Sequence, residues 1–99
     1  MNAGGGQRRI RHGTRQELTD EFNRQGLWQQ IYDRRLVEQI AVERVTADPP
    51  GGRAQIVKHY AGNRHVATTH RVVDALGRVV HWDEKDCVLP DGTKLVRRG

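Results

Sequence analysis

Near residue 38 of this 99-residue chain the apolar residues change their spacing from about 3.6 to about 2, and no other feature of the sequence constrains the fold as much. Before the switch, Leu18 and Phe22 stand four apart, and Trp28, Ile31, Tyr32 and Leu36 keep helical spacing. After it, Ile40, Val42, Val45 and Thr46 are strand-like, and Ala54, Ile56, Lys58 and Tyr60 alternate with Gln55, Val57 and His59. His65 to Val73 is rich in β-branched residues with apolar members on both faces, the pattern of a strand inside a sheet. Shorter runs follow at Arg78 to Trp82, Cys87 to Leu89 and Lys94 to Val96. Breakers separate them at 47–52, 61–64, 74–77 and 90–92. Helices followed by successive strands predict an α+β fold, with one or two N-terminal helices packed on one face of an antiparallel β-meander of four to five short strands. The opposite face is then open to a partner.

Local signals sharpen the N-terminal half. Thr14-Arg15-Gln16-Glu17 has the form of a capping box, so a helix is expected from Arg15 to Gln25, with Gly26 as a left-handed stop. A second helix is expected over Leu27 to Glu38. A single helix bent at Gly26 is the alternative, since an internal glycine costs only about 1 kcal/mol relative to alanine. Met1 to Gly13 contains three successive glycines and little apolar content, which reads as a flexible basic arm before a single α+β domain over 14–99.

Composition narrows the setting. The chain has one cysteine, Cys87, which excludes an internal disulfide framework and points to a reducing, cytoplasmic environment. No run approaches the roughly 18 apolar residues of a membrane helix, and Met1 to Gly13 lacks the apolar stretch of a secretory signal, so no membrane partner is expected. With a core this modest, a homodimer or a protein partner would add burial.

The net charge of +5 is unevenly spread. Arg8, Arg9 and Arg11 lie at one end and Lys94, Arg97 and Arg98 at the other, while the span between them carries slightly more acids than bases. If the ends meet in space, these six cations, extended by Lys58, form a patch that follows a phosphate backbone and releases counterions. The plainer reading is that solvated, Arg-rich termini keep the protein soluble.

His59, His65, His70 and His81 fall on adjacent expected strands, and imidazoles near neutral pH serve as acids, bases or metal ligands. His70, His81, Asp86 and Cys87 are the donors weighed for a metal, but no C-x-x-C or H-x-x-x-H spacing is present, and neither a metal nor a cofactor is expected. Asp83-Glu84-Lys85-Asp86 reads as a solvated turn. Metal-independent RNA cleavage would need a base, an acid and a phosphate clamp, for which His70, His81 and Arg71 are the candidates. In layout alone, helices followed by an antiparallel sheet resemble the small RNase toxins of bacterial toxin–antitoxin pairs. Tyr60 and Trp82 are candidate stacking surfaces, with core packing the plainer role. No phosphate-binding glycine loop is found. The expectation is a noncatalytic binding module with nucleic acid as its partner; the alternatives are a toxin-like ribonuclease and a regulator that binds another protein.

Overall fold

The computed structural model describes residues 9–98. Within them two helices pack against a six-stranded, mostly antiparallel sheet, an α+β architecture. In chain order the elements are β1 (Ile10–Gly13), α1 (Arg15–Gln25), α2 (Leu27–Tyr32), β2 (Val37–Thr46), β3 (Gly52–Ala61), β4 (Arg64–Val73), β5 (Val79–Val88) and β6 (Lys94–Arg97). The sheet order is β1-β6-β5-β4-β3-β2, with β4 in the interior as its two-sided apolar pattern requires.

The start of α1 follows the capping rule. The Thr14 hydroxyl accepts from the Glu17 N–H at 3.1 Å, and the Glu17 carboxylate accepts from the Thr14 N–H at 2.8 Å. Gly26, at φ 63°, ends α1 in the left-handed region and starts α2, so the helices are separate rather than one bent rod. The second helix is shorter than the sequence suggests. It ends at Tyr32, Arg34 turns the chain at φ 58°, and Val37 and Glu38 already belong to β2. Leu36 keeps its core role all the same, reaching it from the turn rather than from a helix face.

Leu18 and Phe22 on α1, Leu27 and Ile31 on α2, and Leu36 pack onto Val66, Ala67, Cys87 and Leu95 of the sheet. Full burial of a leucine or phenylalanine contributes about 1.5 to 3 kcal/mol, so this cluster anchors the helices over the β4-β5-β6 half. Trp28 extends it, 5.5 Å from Phe22 and 5.4 Å from Trp82 between ring centres. Glu84 adds a polar clamp: its carboxylate accepts from the Thr19 hydroxyl and from the Trp28 indole N–H, both at 2.8 Å. The β2-β3 hairpin projects beyond the helices, leaving Val37, Ile40, Val42 and Val45 exposed.

Three expectations are corrected. Ile10–Gly13 is not part of a flexible arm; it is strand β1, paired in parallel with β6 from Ile10 opposite Lys94 to Gly13 opposite Arg97. A Cβ at Gly13 would meet Leu95 Cδ1 at 2.8 Å, so glycine leaves room here for the buried Leu95 side chain. Residues 83–86 are not a solvated turn. They lie inside β5, with Glu84 and Asp86 buried, and they merge two expected short runs into one ten-residue strand. The sheet accordingly has six strands rather than four or five, and one of its pairings is parallel. No helix among the described residues is long and apolar enough to cross a membrane.

Candidate functional site

Irregularities in the pairing enlarge the polar face on which the site lies. Residues of one strand alternate between faces, so His65 and His70, or Asp83 and Asp86, would ordinarily point to opposite sides. Between β3 and β4 the register skips Val66, and between β4 and β5 it skips Lys85. Each extra residue inverts the alternation beyond it. Val66 and Ala67 therefore both enter the helix-side core, while His65 reaches Thr68 and Asp86 on the other face. Asp83 and Asp86 come to share that face, away from Glu84 and Cys87.

On this open face His70 lies directly opposite Asp83, and His81 lies two residues before Asp83 on the same strand. His70 Nδ1 is 3.6 Å from Asp83 Oδ1, His81 Nε2 is 3.7 Å from Asp83 Oδ2, and the imidazole centres are 6.1 Å apart. Arg97 on β6 donates to Asp83 Oδ2 at 3.1 Å. Asp83 Oδ1 is buried and has no hydrogen-bond partner among the described residues. Beside the trio a shallow cleft of about 430 Å³ is lined by Arg15, His81, Asp83, Arg97 and Arg98.

Arg71, expected to act with His70 and His81, faces the other way. As the neighbour of His70 on a strand it points to the helix side, donating to Gln55 at 2.8 Å and Glu38 at 3.0 Å with its guanidinium 5.4 Å from the Trp82 ring centre. It is a structural strut there, and Arg97 is the cation beside the histidines. Trp82 lies on the same helix side, packed with Trp28 and Tyr32. Tyr60 stacks edge-on against His65.

His59 is fully buried on the helix side. Burial lowers its pKa from 6.5 to about 4, with Glu38 pulling the other way, so the ring is neutral near pH 7. Its Nε2 is 2.7 Å from the Thr69 hydroxyl, which also accepts from the Trp82 indole N–H at 2.8 Å. Cys87 is a core residue whose thiol burial pushes up to about 12, which leaves it protonated and unreactive near neutral pH.

The parallel pairing of β1 with β6 brings residues 9–13 and 94–98 to one edge. Arg9 and Arg11 lie beside Lys94, Arg97 and Arg98, tied by Lys94 N–H to Arg9 C=O at 2.9 Å and Arg98 N–H to Gly13 C=O at 2.8 Å. Arg8 lies outside the described residues. Lys58 is on β3, three strands from β6, and does not join this edge. Acids temper the charge: Arg9 pairs with Asp91 and Arg11 with Glu17, each at 3.2 Å, and Lys94 pairs with Asp86 at 3.6 Å. The first two pairs are exposed, and such pairs contribute only about 0 to 1 kcal/mol, so an incoming phosphate can displace them.

Sequence reasoning reached His70 and His81 but missed Asp83, which was hidden in an acidic run that resembles a turn. The spacing His81-x-Asp83, with Trp82 and Glu84 as the alternate set, was the available signal of a continuing strand. No family model, no curated protein and no solved structure matches this chain.

Proposed function

We propose that the protein is a noncatalytic module that binds nucleic acid through the phosphate backbone, using the basic edge formed by β1 and β6. The observation that carries this reading is the parallel β1-β6 pairing, which puts Arg9 and Arg11 next to Lys94, Arg97 and Arg98. Arg15 and Arg98 line the adjoining cleft and extend the positive surface around the end of the sheet. Arg11, opposite the core residue Leu95, and Lys94, paired with Asp86 on the open face, put cations on both sides of this edge, which suits phosphate contacts and carries no base-specific information.

The test is the salt dependence of binding to single-stranded RNA and duplex DNA, followed by fluorescence anisotropy between about 50 and 200 mM salt. Four phosphate contacts would give a slope of log K against log salt of about −3 on single strands, and removing three of them should flatten it by about 2. The triple variant Arg9→Ala/Arg11→Ala/Arg98→Ala should show that flattening, whereas Lys58→Ala should leave the slope unchanged. Absence of binding at low salt, or an unaltered slope in the triple variant, would overturn the reading. Shortening of the RNA in the same samples would favour the ribonuclease alternative.

A further inference from the structure

We infer that His70, His81 and Asp83 form a three-ligand site for a divalent transition-metal ion of the zinc class, open on its solvent side to the basic cleft. This inference does not rest on the nucleic-acid reading, because its donors are two imidazoles and a carboxylate rather than the cations of the edge.

Three observations carry it. First, one donor atom from each residue lies within 4.8 Å of the others, while the closest approaches, 3.6 and 3.7 Å, are too long for hydrogen bonds. The groups converge on a common space without bonding to one another. Metal bonds of about 2.0 to 2.2 Å in tetrahedral geometry separate neighbouring donors by about 3.4 Å, so small rotations bring all three into range. Second, Asp83 Oδ1 is a buried acceptor with no hydrogen-bond donor among the described residues. Such a group is costly, and a cation at that oxygen removes the penalty. Third, the donors stand on two interior strands, His70 directly opposite Asp83 and His81 two residues away, so their spacing is held by the ladder rather than by a loop.

Arg97 fits this arrangement as an outer partner. It holds Asp83 Oδ2 at 3.1 Å, fixing the carboxylate while leaving Oδ1 to the ion. Two imidazoles and one carboxylate suit zinc, nickel or copper better than magnesium or calcium, which prefer all-oxygen sites. Three protein ligands leave a fourth position open. That position faces Arg15, Arg97 and Arg98, so water or an anionic oxygen is its natural occupant.

The experiment uses tag-free full-length protein titrated with zinc chloride by calorimetry and with cobalt(II) chloride by visible absorption. One equivalent should bind, and cobalt should give the d–d bands of a four- or five-coordinate nitrogen and oxygen site. His70→Ala and His81→Ala should each weaken binding by more than about 100-fold, since loss of an outer partner alone costs about 10- to 100-fold. His81 is 54% exposed, so its variant tests the site without disturbing the core. His12→Ala, at an exposed position on β1, should bind as the wild type does. Circular dichroism checks that each variant is folded. The inference is overturned by a wild type without saturable binding at submillimolar metal, by full binding in the His70→Ala/His81→Ala double variant, or by loss in only one of the two single variants.

Discussion

Replacing Thr69 with valine keeps the shape and strand preference of a fully buried residue in β4 while deleting one hydroxyl. That hydroxyl is the centre of a relay. An indole N–H only donates, so Thr69 Oγ1 accepts from Trp82 Nε1 at 2.8 Å, and it shares a second hydrogen bond with His59 Nε2 at 2.7 Å. Valine leaves the Trp82 indole N–H and the buried His59 Nε2 without that partner, each costing about 1 to 3 kcal/mol. We expect a loss of about 2 to 4 kcal/mol, a large share of the roughly 5 to 15 kcal/mol that stabilises a typical small protein. Urea denaturation at pH 7, read by tryptophan fluorescence, measures it directly. The relay adds a second requirement: Trp82→Phe removes the same donor, so the double variant should cost less than the sum of the singles. A Thr69→Val loss below about 0.5 kcal/mol, the scale of a surface substitution, or strict additivity with Trp82→Phe, would refute the relay.

His59 predicts the acid sensitivity of the fold. Its folded pKa of about 4 lies below the ordinary 6.5, so its contribution is fully present above pH 6.5 and is lost as the pH falls towards 4, where the unfolded chain binds the proton first. The difference corresponds to about 3 kcal/mol at most, reached below pH 4, and His59→Gln should lose about 2 kcal/mol less stability than the wild type between pH 7 and 4.5; superimposable profiles would sink the idea. At Gly52 a Cβ would meet the carbonyl oxygens of Val73 and Pro49 at 2.7 and 2.9 Å, backbone atoms that have little room to give. Gly52→Ala should therefore cost about 1 to 3 kcal/mol and lower the Tm by several degrees, and an unchanged melting curve would contradict the crowding.

Features that depend on near neighbours in the chain could be read before folding. The capping box at Thr14, the stop at Gly26 and the breakers between β2, β3, β4 and β5 act through side chains and dihedral angles within a few residues of one another. The switch of period near residue 38 likewise announced helices followed by strands. Part of the candidate site was legible in the same way: His70 and His81 stood on adjacent strands, and the period of two already implied that Arg71, next to His70, would face the other side.

Tertiary structure decided what sequence distance conceals. The pairing of Ile10–Gly13 with Lys94–Arg97 joins opposite ends of the chain, and no local signal in either segment names the other. The acidic run 83–86 resembles a turn in isolation, yet it continues β5 because Glu84 finds Thr19 and Trp28, Asp83 finds Arg97, and Asp86 finds Lys94. The skipped residues Val66 and Lys85 set which side chains share a face. Turns and caps are short-range energies that the sequence alone determines; a strand register is chosen by what lies across the sheet, where one extra residue inverts every side chain beyond it.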